Sequence, residues 1–243
     1  MSIDFGTQSA LGGVNYSISK DKFGSTEILG AADVNQAIWR VGGDYTGFPS
    51  EVETISLVST EGADTMNVTI EGLDSDFNEQ TETVTMTGVT PVVTTKTWSR
   101  APRFYISSGG MNIGVITANH STTTANVFGS IQIGMGQSLV GCLTVPNNYT
   151  MILKGITIGM ARTSGAAGSA VVSLRARKVG ETGFRTKKLH TITDSHAWAA
   201  RYYAGAIYPE KTDIKGFVES ISDNLSSFVF DIEYLLIDNG QHD

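Results

Sequence analysis

Cysteine is almost absent from this 243-residue chain. Cys142 stands alone inside the apolar stretch LVGCLTV, so an internal disulfide and a thiolate-rich zinc site are both excluded. It is expected to be a small buried hydrophobe. Histidine is scarce as well: His120, His190, His196 and His242 show no paired ligand spacing, and neither HExxH nor CxxC occurs. Long hydrophobic runs are also missing, because Gly, Ser and Thr break every apolar stretch well short of the ~18 residues a membrane helix needs. The first residues, MSIDFGTQSAL, have neither a basic start nor an apolar stretch, so neither a secretory signal nor a transit peptide is expected, and synthesis in a cytoplasm is. Helical periodicity is nearly absent; only Ala31 to Trp39 and Ser195 to Tyr203 fit a turn or two of helix.

Basic charge is lacking in one part of the chain. Residues 1–99 hold 4 basic and 14 acidic side chains, whereas 100–243 hold 13 and 10, giving the overall charge of −7. An acidic front half argues against a free nucleic-acid binder.

What the sequence does contain is period-two alternation. Met66, Val68 and Ile70 alternate with Thr and Asn, as do Val84 and Met86 with Thr, and the turn formers between them make Asp64 to Thr87 a hairpin with an acidic loop. Further strands recur every 8 to 12 residues or so. The clearest is SFVFDIEYLLID, which puts Phe228, Phe230, Ile232, Tyr234 and Leu236 on one face and Asp231 and Glu233 on the other. The expected fold is therefore all-β, an antiparallel β-sandwich of jelly-roll type with room for two β subdomains. Residues 1–35 read as an extended N-terminal arm, or else a frayed terminus, and 36–243 as the sandwich region. The polar stretch NHSTTTAN (119–126) either divides two subdomains or joins two strands.

Candidate chemistry is thin. Asp74, Asp76 and Asn78 begin like a calcium loop, but Glu79 and Thr85 stand where that loop needs Gly and Glu. No G-x-S-x-G, Walker or dinucleotide glycine pattern is present, and Gly134-Met135-Gly136 reads as a turn. The acids around the 74–82 loop lack the enclosure that a glycosidase pair requires. No catalytic residue, metal or cofactor is assigned. Arg175, Arg177, Lys178, Arg185, Lys187 and Lys188 form a basic hairpin. It reads as a solvated sheet face or as a docking surface for an acidic neighbour such as another copy; nucleic acid fits the charge balance poorly. Trp39, Trp98, Trp198, Tyr202 and Tyr203 are either packing residues or the lining of a sugar site.

The segments Ile38 to Tyr45, Thr65 to Asp74, Glu82 to Val92, Asn112 to Ile116 and Gly134 to Pro146, with Arg100 and Arg103 between them, resemble a pattern in uncharacterised virion structural proteins of tailed bacteriophages, many of them marine. The likeness runs from about Trp39 to Arg185 and consists of turn and strand signatures. It implies a β-sandwich or jelly-roll module of the virion, commonly trimeric, in a capsid-decoration, head-fibre or tail role, with itself and other virion proteins such as the major capsid or tail proteins as partners. It implies no catalytic or ligand residues. The expected function is accordingly a non-enzymatic virion structural protein, made in the host cytoplasm and not membrane-bound, anchored by its N-terminal arm. The alternative is a carbohydrate-binding host-recognition module.

Overall fold

The computed structural model describes residues 16–162, 168–193, 196–222 and 226–241 together with Gln8, and only the backbone of residues 203, 204 and 241. In chain order the strands are β1 (Ser17–Ser25), β2 (Gln36–Ala37), β3 (Ile55–Ser59), β4 (Asn67–Leu73), β5 (Glu79–Thr85), β6 (Val92–Val93), β7 (Arg100–Ser108) and β8 (Ile116–His120). They continue as β9 (Val127–Ile131), β10 (Cys142–Thr144), β11 (Tyr149–Arg162), β12 (Ser169–Lys178), β13 (Arg185–Thr193), β14 (Ala197–Tyr208), β15 (Thr212–Ile221) and β16 (Ser226–Asp238). A 3-10 turn over Asn239–Gln241 follows. The protein is all-β, and every strand pair is antiparallel.

Two sheets, β1-β16-β11-β14 and β10-β15-β12-β13, form an outer sandwich, with β2 pairing β15 beside β10. Counting these eight long-sheet strands in chain order, the hydrogen-bonded partners are first with eighth, second with seventh, third with sixth and fourth with fifth. That is one long hairpin whose arms have been rolled together, and β16-β11 and β15-β12 are the seams the rolling creates. Alternation explains the core between the sheets. Phe228, Phe230, Ile232, Tyr234 and Leu236 of β16 face Val172, Leu174 and Ala176 of β12 and Ile214 and Val218 of β15 in one buried cluster. Each large side chain there contributes roughly 1.5–3 kcal/mol before ordering entropy.

Between β2 and β10 the chain builds a second, inner sandwich from the sheets β6-β3-β8-β9 and β5-β4-β7. Its own core holds Ile55, Leu57, Val68, Ile70, Trp98, Phe104 and Phe128. A smaller cluster of Trp39, Tyr45, Val140, Cys142 and Phe217 lies between the two. The Tyr45 hydroxyl donates to the Phe128 carbonyl at 3.1 Å, and burial pushes the Cys142 thiol far above its ordinary pKa, as expected of an inert hydrophobe. The firmest tie is ionic. Arg100 of β7 donates to both oxygens of Asp213 on β15, at 2.9 and 3.1 Å, with the Asp213 side chain wholly buried. Thr144 donates to the same carboxylate at 2.6 Å.

One open alternative resolves, in favour of a stretch that joins two strands, and three expectations change. The polar stretch 119–126 is the β8–β9 hairpin turn inside one sheet, where the Asn126 carbonyl accepts from His120 N–H at 2.8 Å, so the two cores divide the chain elsewhere. Of the stretch Ser195 to Tyr203, Ser195 lies outside the described residues and Ala197 to Tyr203 lie in strand β14, because pairing with β11 outweighs the weak helical pattern. Ala31 to Trp39 holds β2 and no helix. Within the expected arm, β1 is a full strand of the outer sandwich, paired along its length with β16. The arm before residue 16, Gln8 apart, lies outside the described residues. β1 was hard to see because its core-side positions are Lys20, Lys22 and Gly24 instead of large apolar groups. Gly24 is needed there: a Cβ would sit 2.1 Å from the Gly141 nitrogen, so no other residue lets β1 cross so close to β10.

Candidate docking site

β12 and β13 carry the basic hairpin, and alternation separates its charges. Val172, Leu174 and Ala176 point into the core, which turns Arg175 and Arg177 to the outer face of their sheet. There both are engaged within the chain. Arg175 pairs with Glu219 and lies over the Phe217 ring at 3.8 Å. Arg177 donates to Asp213 at 3.3 Å and lies over Phe184 at 4.5 Å. Both arginines of the expected docking surface are thus engaged by carboxylates on β15, Arg175 by Glu219 and Arg177 by Asp213, which it shares with Arg100.

The other four cations are placed differently. Leu174 is opposite Lys188 and Arg175 opposite Thr186, so the register slips and Lys187 has no opposite residue on β12. Strict alternation would put Lys187 and Lys188 on opposite faces. The bulge re-aims Lys187, and both lysines line one cleft together with Lys178 and Arg185. This cleft, about 380 Å³, opens at the side of the outer sandwich, with Ala206, Ile207 and Tyr208 of β14 as its far wall and Glu181 as its one acid. Lys178, Arg185 and Lys187 are exposed, and none of the four has an ion-pair partner among the described residues. Lys188 is half-buried with its ammonium 4.3 Å from the centre of the Tyr202 ring.

Deeper along the same side, His190 stacks on Trp198 with ring centres 3.4 Å apart. Burial, helped by the Lys188 charge, lowers the His190 pKa, so the imidazole favours its neutral form. Burial, with the neighbouring Tyr202, raises Tyr208 to about 12. These shifts make the cleft a place of fixed cations and neutral rings.

The aromatic residues considered for a sugar site are not brought together. Trp39 and Trp98 are buried in different clusters, and their indole N–H groups donate to the Gly43 carbonyl and the Thr94 hydroxyl, each at 3.2 Å. Both are corrected to packing residues. Trp198 and Tyr202 share β14, but His190 covers one and Lys188 the other. The Tyr203 side chain lies outside the described residues. Among the described residues no group of three or more His, Cys, Asp or Glu side chains is arranged to hold a metal ion.

Sequence reasoning found the cations but missed the β14 wall, the bulge and the internal partners Asp213 and Glu219. Alternation of charge along β12 and β13 could have separated Arg175 and Arg177 from the rest; the bulge has no sequence signal in these residues.

No family model matches the chain, and no curated protein matches it. Among solved structures, the crystal structure of the infectious bursal disease virus VP2 subviral particle aligns over 92% of this chain and 73% of that one, at 8% identity and a TM-score of 0.16. At that score the alignment carries no argument about fold or function.

Proposed function

We propose that the chain is a non-enzymatic structural protein of a tailed-phage virion, a homo-oligomeric capsid decoration or head- or tail-attached module that acts by burying surface against copies of itself and against other virion proteins. The observation that carries this reading is the rolled-hairpin order of the outer sandwich. That strand order supports a jelly-roll reading of the double sheet, and jelly rolls are a recurrent building block of viral coats. The fold by itself does not assign a role, so the weight also falls on the surfaces. A cleft of four uncompensated cations suits contact with an acidic partner better than catalysis. The inner sandwich adds a second rigid body, tied to the first by the buried Arg100–Asp213 pair.

Native mass spectrometry of the purified chain tests the self-assembly: a trimer or a multiple of three is expected, and a strict monomer would overturn it. Immunogold labelling of phage particles tests the location. The anchoring role of the N-terminus needs a truncation that stops short of β1. Deleting residues 2–15 should leave a folded protein that no longer attaches to particles, whereas deleting through Gly24 would also remove a strand of the sandwich.

A further inference from the structure

The open side of the outer sandwich is flanked by the two terminal strands of its sheets, β13 and β14. Each is paired on one side only among the described residues, so its outward main-chain donors and acceptors face away from the sheet. The two edges are not equivalent. β14 loses regular pairing between Arg201 and Ala206, with Gly205 at a φ of +69°, and such an interruption protects an edge from further pairing. Among the described residues the outer edge of β13 pairs with no other strand along Arg185–Ile192, and it carries Arg185, Lys187 and Lys188 with an exposed Leu189 beside them. Lysines on an edge repel a second copy of the same strand. They invite a strand of opposite charge.

Resting on the reading of this chain as an assembly module, we propose that β13 is a strand-addition site for an extended, carboxylate-rich segment of a partner protein. The segment's main chain pairs with the outer edge of β13. Its alternate side chains place carboxylates on Lys178, Arg185, Lys187 and Lys188 in the cleft that Ile207 walls, and its intervening apolar groups, on the other face, meet the exposed Leu189. A polynucleotide fits less well. The cleft includes Glu181, has an aliphatic wall and offers unpaired peptide groups at its rim, and the whole chain carries −7.

The test uses the full chain and a fluorescein-labelled octapeptide of alternating glutamate and valine, read by anisotropy. Saturable binding that weakens with added salt is expected. Arg185→Glu with Lys187→Glu, both exposed and outside any core, should weaken it by about tenfold or more. The same peptide N-methylated on the alternate residues that face β13 keeps its charge and loses its donors, and should also bind about tenfold more weakly or worse. No saturable binding up to about 1 mM overturns the proposal. Equal binding of the N-methylated peptide, or tighter binding of an oligothymidylate of equal charge, overturns it too, the latter in favour of a polyanion site. An oligomeric chain found on particles that fails these tests refutes the strand-addition site alone. A chain that passes them but is monomeric and absent from particles refutes the virion reading instead.

Discussion

Lys22 points its ammonium from β1 into the seam between the outer and inner sandwiches, where it donates to the Pro102 carbonyl at 2.8 Å. Burial, to which the Arg103 charge adds, lowers its pKa from 10.5 to about 8. The unfolded chain therefore holds a proton on this lysine between pH 8 and 10.5 that the folded chain has released, so stability must rise with pH across that window. Two-state linkage with these two values gives a gain of about 2 kcal/mol between about pH 7.5 and 9.5. Several buried tyrosines are raised in the folded state, Tyr45 and Tyr234 among them, and as the pH approaches 10 they act in the opposite direction. Comparison with Lys22→Met removes that background, because both proteins share the tyrosines. Urea unfolding followed by the fluorescence of buried Trp39 and Trp98 supplies the free energies. At neutral pH the variant should lie near the wild type, since relief of the buried charge offsets the lost bond to Pro102. At high pH the wild type should pull ahead by the full amount. Parallel stability curves would refute the assignment of a desolvated lysine at this seam.

Arg100→Met removes one member of a buried pair and leaves Asp213 with Thr144 and Arg177 only, so a loss of about 3–5 kcal/mol is expected in the same urea assay. A loss below about 1 kcal/mol would show that the pair does not hold the two sandwiches together. Gly24→Ala places a methyl 2.1 Å from the Gly141 nitrogen and should lower stability by about 2 kcal/mol or more, read as a fall in Tm. Burial pushes Asp64 up, but bonds from the Ser59 hydroxyl at 2.6 Å and from the N–H groups of Ile113 and Gly114 at 2.9 and 3.0 Å outweigh it and hold its pKa below the ordinary 3.8. Its contribution is thus present above pH ~4 and lost as the pH falls through the folded value. Asp64→Ala should flatten the acid limb of the stability curve and cost about 1–3 kcal/mol for each orphaned donor.

The strands were legible wherever one face packs and the other meets water. The inward and outward faces of β16 were readable, its bounds to within one residue, and the β4–β5 hairpin appears with its acidic loop, where Asp74 accepts from the N–H groups of Asp76 and Asn78, both at 2.9 Å. Legibility failed where long-range contacts decide. β1 packs its lysines against the inner sandwich, and nothing near it in sequence announces that neighbour. β14 has a weak local pattern and is held by β11, some 50 residues earlier in the chain. The division into two cores was hidden because β10, after the inner sandwich, rejoins strands that lie far later in the sequence. At the candidate site the residue types were readable, but their partners were not. Asp213 accepts from Arg177 although it lies 36 positions further along the chain, and the bulge at Lys187 depends on how β13 registers on β12.

The pairing of β1 with β16 gives the chain an order of events. Ser17 meets Ile237, so the first strand of the outer sandwich waits for the last before it can close. The inner sandwich is complete when about residue 138 has been made and is free to fold on the nascent chain. The outer one stays open, β1 without its β16 partner, until β16 has been made. Contacts this distant in sequence are slow to form. They also make closure of the outer sandwich depend on β16: a chain cut short before it leaves β1 and β11 without their shared partner.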